Sequence, residues 1–410
     1  MARTPRRWLA RTLETPLRRA AREFPVVVLT GPRQSGKTTL LQKVLGARGQ
    51  YVSLDQPDVR ERARSDPRGF LAAAKRPLVL DEVQHAPEIL SYIRGLVDEQ
   101  RSKAGQFFLS GSQNLLLSQH VTETLAGRAA VLRLLPLSLE EVRGGRDEAP
   151  FWLRAQPRED RRGASASALW LRLLRGCFPE LVSGPGRDAA LWHAGYVQTY
   201  LERDVRTLRH IGDLGAFQSF VRALAARSAN LVNFAELSRD LGVALNTVRA
   251  WVSVLEASYQ IVVVRPYHAN VQKRMVKTPK IYFTDTGTLC WLVGIRDAEH
   301  ARQGPMAGAI LETAVLGEIL KASWHRGEEA RVWFWRTSDG HEVDFVVEHG
   351  TELIPIEVRA SSTPRIEMSR GIEVLHQQLP RKTVQGILIH TGSEALEWNA
   401  SVRTLPASAV

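Results

Sequence analysis

Short apolar runs alternate with longer amphipathic stretches in the first third of the chain. The runs at 24–30, 76–80 and 106–110 are continuous, and they are rich in β-branched, leucine or aromatic residues. Runs of this kind are typical of parallel strands that are buried on both faces. Because helical patterns separate them, we predict an α/β fold with a mostly parallel sheet.

The amino-terminal segment predicts a helix that packs on this sheet. Leu9, Leu13 and Leu17 fall four residues apart, which is the spacing of one helix face. Residues 1–22 also hold seven arginines and a single acid, Glu14, a composition that organelle transit peptides share. We favour the structural helix because it leads directly into the first strand. A secretion signal is not expected, since no continuous apolar core is present.

The first strand runs into a glycine-rich phosphate-binding motif. The segment GPRQSGKT fills every fixed position of the pattern GxxxxGK[ST]. The glycines let backbone N–H groups face phosphate oxygens, Lys37 can reach the β- and γ-phosphates, and the Thr38 hydroxyl can ligate magnesium. A helical pattern follows, and its amino-terminal dipole favours the anion. The predicted ATP-binding residues are Gly31, Pro32, Arg33, Gln34, Ser35, Gly36, Lys37, Thr38 and Thr39.

Two acids follow the second buried run. Asp81 and Glu82 come about 40 residues after the phosphate-binding motif, at the end of a predicted strand. A carboxylate at this position can hold magnesium through water, and an adjacent one can activate the attacking water. We therefore predict magnesium-dependent ATP hydrolysis in which Thr38 and Asp81 hold the metal. Glu82 is the predicted catalytic base, and Lys37 supports the reaction at the phosphates.

Two further polar residues are candidates for the same reaction. Ser112 follows the third buried run, where a polar side chain can sense the γ-phosphate, although a local turn bond explains it equally well. Arg128 ends the segment TLAGR. It could stabilise transition-state charge in a neighbouring subunit, which predicts a homo-oligomer, or it could be a surface residue in an internal ion pair.

Composition narrows the partners and the compartment. The formal net charge of +12 favours a polyanion such as DNA, or it reflects a solvated basic surface. The two cysteines, Cys177 and Cys290, fit a reducing compartment and do not form a zinc-binding pattern. No apolar run approaches the ~18 residues of a membrane helix. We therefore expect a cytoplasmic protein with no membrane partner.

The middle of the chain predicts helices and then a helix-turn-helix. Residues 145–167 are polar and predict a surface linker, and 168–228 have helical spacing that could form a lid over the nucleotide. From 233 to 258, two helical patterns flank a turn at Gly242, and a β-branched run follows as in a winged helix. The second helix could enter the major groove of DNA, or the unit could be structural or oligomerising. The candidate nucleic-acid contacts are Asn246, Thr247, Arg249, Lys273, Arg274 and Lys277.

The last part of the chain predicts a helix followed by a three-stranded meander. The helix carries Glu312 and Glu318. Asp344 and Glu357 occupy the same phase on adjacent predicted strands. Two carboxylates that meet in this way can bind magnesium.

Together these motifs resemble the bacterial and archaeal AAA-type P-loop ATPases of the GPRQxGKTT group. The resemblance is carried by GPRQSGKTTLL, LVLDEVQ, FFLSGSQN, TLAGR and LPLSLEE in this order, and it continues through 196–205 to EVDF and IEV near the end. It implies an AAA-type ATPase with a carboxyl-terminal domain of unknown function, in which a winged helix precedes a restriction-endonuclease-like fold. The expected limits are 1–145 for the core, 168–228 for the lid, 229–285 for the winged helix and 286–410 for the last domain.

The nuclease-like pattern departs from the resemblance at one position. Such a site has a helix Glu, an Asp and a Glu-x-Lys, and here the residues are Glu312, Asp344, Glu357 and Arg359. A guanidinium keeps its proton, so Arg359 is a poor proton-transfer group. We therefore predict an inherited fold without cleavage. The predicted function is ATP hydrolysis coupled to remodelling of a nucleic acid or protein. The alternatives are an ATP-binding switch or platform with little turnover, and an ATP-gated DNA nuclease.

Overall fold

A computed structural model describes residues 8–112, 124–145, 149–154, 166–201, 213–267 and 278–410, and the structural statements below concern these residues. Two sheets organise the fold, one in the first third of the chain and one in the last third. Most of the helices of the middle third share one apolar core with the second sheet. Among the described residues, no helix is long and apolar enough to cross a membrane.

The first sheet consists of five parallel strands, as the buried runs predicted. Its strands are β1 (Val26–Thr30), β2 (Gln50–Ser53), β3 (Leu78–Asp81), β4 (Phe107–Gly111) and β5 (Ala129–Arg133). Their spatial order is β2-β3-β4-β1-β5. Every residue of β1, β3 and β4 is buried, which explains why their sequences do not alternate between apolar and polar residues.

Helices connect these strands and cover the sheet. They are α1 (Glu14–Glu23), α2 (Lys37–Leu45), α3 (Pro57–Ser65), α4 (Pro67–Ala73), α5 (Ile89–Glu99) and α6 (Leu139–Val142). The predicted first helix is confirmed from Glu14 onward, and its Leu13 and Leu17 pack fully buried against Val27 of the sheet. Leu9 lies before the helix, so it does not extend the helical face as predicted.

The middle third is helical, with a short antiparallel strand pair at its end. Its elements are α7 (Ala166–Arg175), α8 (Pro179–Ser183), α9 (Ala189–Tyr196), α10 (Leu214–Ala225), α11 (Phe234–Leu241), α12 (Leu245–Ala257), β6 (Ile261–Val264) and β7 (Lys280–Phe283). Gly242 ends α11 in the left-handed conformation, with a φ of 65°, and α12 begins three residues later. The prediction of a surface linker is wrong at Phe151 and Trp152. Their large apolar rings are buried in the shared core, where they pack edge to face with 5.0 Å between the ring centres.

The last third packs helices on a mixed six-stranded sheet. Its elements are α13 (Thr286–Leu292), α14 (Ala298–Gln303), α15 (Ala307–Trp324), β8 (Val332–Arg336), β9 (Glu342–His349), β10 (Glu352–Arg359), α16 (Arg370–Gln378), β11 (Gly386–His390), β12 (Glu397–Asn399) and β13 (Val402–Pro406). The spatial order is β12-β13-β11-β10-β9-β8, and β8, β9 and β10 form the predicted antiparallel meander.

Candidate functional site

The phosphate-binding loop lies at the carboxyl edge of the first sheet, directly after β1. Gly31 has a φ of 148°, and a Cβ added there would lie 2.1 Å from the carbonyl oxygen of Leu134. Gly36 has a φ of 97° and begins α2. These two positions require glycine for backbone reasons, as the motif predicted.

Lys37 is buried at the start of α2, with only 6% of its surface exposed. Its ammonium donates hydrogen bonds to the carbonyl oxygens of Gly31 and Pro32, both at 2.8 Å. The charge is therefore held against the loop, beside the cavity in which the loop N–H groups can meet an anion.

Asp81 ends β3 and joins the two halves of the site. Its Oδ2 accepts a hydrogen bond from Thr38 Oγ1 at 2.8 Å, and its Oδ1 accepts one from Ser110 Oγ. A hydroxyl and a carboxylate in contact offer the hard oxygen ligands that magnesium requires, so these residues fit the expected ion.

Sequence reasoning missed Tyr51, whose hydroxyl donates to Asp81 Oδ2 at 2.5 Å. Burial and the neighbouring Asp81 raise the pKa of Tyr51, which keeps it a donor.

Glu82 stands beside Asp81 in an uncommon backbone conformation. Its φ of 56° and ψ of 45° lie in the left-handed region, where strained residues cluster at functional sites. Its Oε2 accepts hydrogen bonds from Ser112 Oγ at 3.2 Å and from Gln84 Nε2, and its Oε1 lies 3.7 Å from Arg33 Nη1. The structure thus brings the predicted base, the predicted sensor and an arginine of the loop together.

A cavity of about 450 Å³ opens over the loop, a volume in the range of small-ligand sites. Arg33, Lys37, Thr38 and Glu82 line one side. The remaining wall comes from the segment before α1, from α8 and from Leu137 ahead of α6. The residues that sequence reasoning missed are Trp8, Leu9, Arg11, Leu137, Pro179, Glu180 and Ser183.

Arg128 lies at the amino ends of the parallel strands, opposite to the end of the sheet that carries the phosphate-binding loop. It precedes β5, its carbonyl oxygen accepts from the N–H of Val26, and β1 and β5 run parallel. Its guanidinium makes a two-pronged ion pair with Asp98 of α5, at 2.7 and 3.0 Å. Arg128 therefore does not face the nucleotide cavity of its own chain. It forms the internal ion pair that was the alternative expectation, and a contact with the nucleotide of a neighbouring subunit stays a prediction.

The candidate nucleic-acid residues are described only in part. Asn246 and Arg249 are exposed on α12, and Thr247 is half-buried. Lys273, Arg274 and Lys277 lie outside the described residues. Two of the three candidates on α12 are therefore exposed to solvent, and a DNA contact stays a prediction.

The predicted acids of the last domain converge around a buried lysine whose place among them the sequence did not indicate. Lys280, the first residue of β7, is 4% exposed. Its ammonium lies 3.2 Å from Glu312 Oε1, 2.5 Å from Glu342 Oε1 and 3.7 Å from Asp344 Oδ1. These acids raise the pKa of Lys280 above its usual value, although burial alone would lower it.

Arg359 closes the other side of this acid cluster. Its guanidinium lies 3.2 Å from Asp344 Oδ2 and 3.2 Å from Glu357 Oε2. Burial and Asp344 raise the pKa of Glu312 to about 8, and they also raise the pKa of Glu357. In the described part of the chain, no group of three or more acidic, His or Cys side chains has the spacing to hold a metal ion. In this cluster, Lys280 and Arg359 occupy the carboxylate oxygens of Asp344 and Glu357 that a magnesium ion would need.

Glu318, the second candidate acid on α15, belongs to a different contact. It binds Lys321 at 2.9 Å and accepts a hydrogen bond from the N–H of Leu139 at 2.9 Å. Six residues separate it from Glu312, so the two acids do not share one face of the helix. Glu318 therefore lies apart from the cluster that contains Glu312 and Asp344.

Family models match three consecutive parts of the chain. A model described as an AAA domain matches residues 23–143. Two models of domains of unknown function, DUF8612 and DUF4143, match residues 167–299 and 307–410. The first third is therefore a P-loop ATPase-like AAA domain, which confirms the predicted ATP-binding core in this general form.

Relatives resemble the chain over most of its length. An uncharacterized protein of Mycobacterium tuberculosis (strain ATCC 25618 / H37Rv), Rv2008c, is 31% identical over 396 residues, which are 96% of this chain and 82% of the relative. An uncharacterized protein of Mycobacterium bovis, Mb2031c, gives the same values. An uncharacterized protein of Haemophilus influenzae is 21% identical over 354 residues, 81% of this chain and 82% of the relative.

Solved structures resemble the chain more distantly. The Walker-type ATPase PABY2304 of Pyrococcus abyssi has a TM-score of 0.46 and 15% identity, covering 68% of this chain and 94% of its own. The Thermotoga maritima RuvB Holliday junction branch migration motor has a TM-score of 0.29 and 16% identity, covering 61% and 88%. Likenesses of this degree carry no conclusion about function.

Proposed function

This chain belongs to the family of the mycobacterial proteins Rv2008c and Mb2031c, and from that premise we propose that it hydrolyses ATP with magnesium. The single observation that carries the proposal is the convergence of Lys37, Thr38 and Glu82 on one cavity, with Asp81 hydrogen-bonded to Thr38 at 2.8 Å. In this proposal, the loop N–H groups and Lys37 bind the phosphates. Thr38 and Asp81 would hold the magnesium, which supplies charge neutralisation at the phosphates when it is bound.

Glu82 is the proposed catalytic base. Its carboxylate lines the cavity, and Ser112 and Gln84 hold one oxygen through hydrogen bonds while the other faces Arg33. A positioned carboxylate can accept a proton from the attacking water. Ser112 would then act by orienting Glu82, and it would sense the γ-phosphate through that contact.

Equilibrium binding and steady-state phosphate release together test this proposal. Lys37→Ala should lose ATP binding because it removes the charge that faces the β- and γ-phosphates. Wild-type protein should release phosphate only with magnesium. ATP binding without phosphate release would instead favour the switch that binds ATP and does not turn it over. Failure of the wild type to bind ATP would contradict both.

The proposal includes an oligomer and a nucleic-acid partner. The candidate for an oligomer contact is Arg128, which would have to leave its ion pair with Asp98 to reach the nucleotide of a neighbouring subunit. The net charge of +12 and the exposed Asn246 and Arg249 support a polyanion partner. Binding should fall steeply with salt through counterion release, and joint neutralisation of Lys273, Arg274 and Lys277 should flatten that dependence. Absence of DNA or RNA binding at ~50 mM salt would contradict this part.

We further propose that the last domain is a binding platform without nuclease activity. Lys280 and Arg359 neutralise the carboxylates that would otherwise hold a metal ion. Lys280 also affects the chemistry that this cluster could support. The site does contain an amine, although it comes from β7 and not from position 359, so the presence of Arg359 alone does not exclude cleavage.

A further inference from the structure

Arg11 is a buried cation that connects the nucleotide cavity with the rest of the fold. It lies before α1, is 4% exposed and lines the cavity. Its Nη1 donates to the carbonyl oxygen of Ser35 at 2.7 Å, and its Nη2 donates to the carbonyl oxygen of Leu135 at 2.6 Å. Its Nε donates to Glu141 Oε2 at 3.1 Å. All three arms of the guanidinium are thus used in directions that a lysine could not satisfy at once.

The contact with Ser35 orients the phosphate-binding loop. In a trans peptide, the C=O of Ser35 and the N–H of Gly36 point in opposite directions. A guanidinium that holds the Ser35 oxygen therefore fixes the direction of the Gly36 N–H, one of the groups that the motif offers to phosphate. Gly36 itself lines the cavity.

Glu141 of α6 holds Arg11 in place from the other side. Its Oε1 accepts from the N–H of Thr12 at 2.7 Å, and its Oε2 accepts from the N–H of Ser138 at 2.9 Å as well as from Arg11. Burial alone would raise the pKa of Glu141, but Arg11 and His325 hold it well below its usual range. Glu141 is therefore ionised in its contact with Arg11, and backbone N–H groups hold both of its oxygens.

His325 extends this network into the last third of the chain. It caps the carboxyl end of α15 and is 1% exposed. Its Nδ1 lies 3.3 Å from Glu141 Oε1, and its Nε2 accepts from the N–H of Leu135 at 3.1 Å. The same α15 carries Glu312 of the acid cluster. A continuous set of buried polar contacts therefore runs from Ser35, through Arg11 and Glu141, to His325.

We propose that Arg11 is a positioning residue for the phosphate-binding loop and that Arg11, Glu141 and His325 couple nucleotide occupancy to α15. The proposal rests on the proposed nucleotide site but not on hydrolysis. A nucleotide that orders the loop also orders the Ser35 carbonyl, and Arg11 transmits this order to α6 and α15. By reciprocity, a change at the carboxyl end of α15 must alter nucleotide affinity.

The test measures the affinity of full-length protein for a fluorescent ATP analogue. His325→Ala should weaken binding about fivefold or more, a typical size for coupling between sites. His390→Ala is the matched control, since His390 is also 1% exposed and also accepts one backbone N–H, from Gly392, but lies on β11. Its affinity should equal that of the wild type. Equal affinities for His325→Ala and the wild type, or equal losses in both variants, would overturn the coupling.

A second variant separates positioning from folding. Arg11→Lys keeps a cation beside Glu141 but gives up the fork that holds Ser35 and Leu135. We expect a lower unfolding midpoint, because the buried carbonyl oxygens of Ser35 and Leu135 lose their donors, and weaker nucleotide binding at temperatures where the variant is still fully folded. Wild-type affinity in Arg11→Lys would show that the guanidinium does not position the loop.

Hydrogen exchange on the wild type covers the case in which the variants fail to fold. The nucleotide should slow exchange at residues 318–325 in the wild type and not in Lys37→Ala. Unchanged exchange there would overturn the proposal, as would a wild type that binds no nucleotide. Binding without hydrolysis would contradict only the proposed ATPase activity.

Discussion

Replacement of Gly31 by alanine is a severe test of the loop geometry. The added Cβ would lie 2.1 Å from the oxygen and 2.9 Å from the carbon of the Leu134 carbonyl, and both are backbone atoms that cannot rotate away. The φ of 148° adds a strain of about 1–3 kcal/mol for a residue with a side chain. Displacement of Leu134 would also weaken the hydrogen bond that its N–H donates to the Thr30 carbonyl, worth about 1 kcal/mol.

We therefore expect Gly31→Ala to lower the free energy of unfolding by about 2–4 kcal/mol and to weaken ATP binding at least ~10-fold. Denaturant unfolding followed by circular dichroism and titration with a fluorescent ATP analogue measure the two effects. The matched control is Gly95→Ala, an exposed position of α5 with no atom within 4 Å of the added Cβ. It should gain about 0.5–1 kcal/mol through helix propensity. An unfolding midpoint and an ATP affinity equal to those of the wild type in Gly31→Ala would refute the described loop.

Three further predictions concern the oligomer, the acid cluster and its pH dependence. Arg128→Ala should bind ATP normally and lose ~10³-fold in turnover, and mixing it with Glu82→Gln subunits should restore part of the activity. Asp98→Ala, the control, should keep the wild-type turnover. Full activity of an isolated monomer would contradict this prediction. Supercoiled plasmid should stay intact when it is incubated with the wild-type protein and magnesium or manganese. Cleavage that is lost in Asp344→Ala would show that the last domain is a nuclease. In that case, Lys280→Met would test whether β7 supplies the catalytic amine. Burial and Asp344 raise the pKa of Glu312 in the folded state to about 8. The protonated Glu312 therefore contributes fully to the free energy of unfolding below about pH 4.5, and this contribution is lost as the pH rises through 8. The free energy of unfolding should fall by no more than ~1.4 kcal/mol per pH unit over this range. Glu312→Gln should flatten this decline in a denaturant series across pH, and an unchanged slope would contradict the assignment.

The ATP site could be predicted from sequence because its chemistry is local. Gly31, Lys37 and Thr38 lie within eight residues, and the loop geometry fixes their relations. Asp81 and Glu82 could be placed beside them because both follow a buried parallel strand, and the carboxyl ends of parallel strands meet at one edge of a sheet.

Residues that act through tertiary packing could not be predicted. Lys280 starts a strand of the pair that follows the helix-turn-helix, and nothing near it in sequence shows that it lies among acids of α15 and β9. Arg11 is one of seven arginines in a segment whose pattern predicts a helix or a transit peptide, and neither prediction distinguishes it from the other six. Tyr51 ends on Asp81 only because β2 and β3 are neighbours. The burial of Phe151 and Trp152 could not be predicted because polar residues flank them on both sides, as in a surface loop.

Single-turnover release of phosphate from magnesium-ATP, in the wild type and in Glu82→Gln at equal ATP occupancy, tests the central claim most directly. An amide cannot accept a proton from water, so Glu82→Gln should bind ATP with wild-type affinity and release phosphate at least ~100-fold more slowly. Glu82→Gln that releases phosphate at the wild-type rate would contradict the assignment of Glu82 as the catalytic base and, with it, the proposed mechanism of this site.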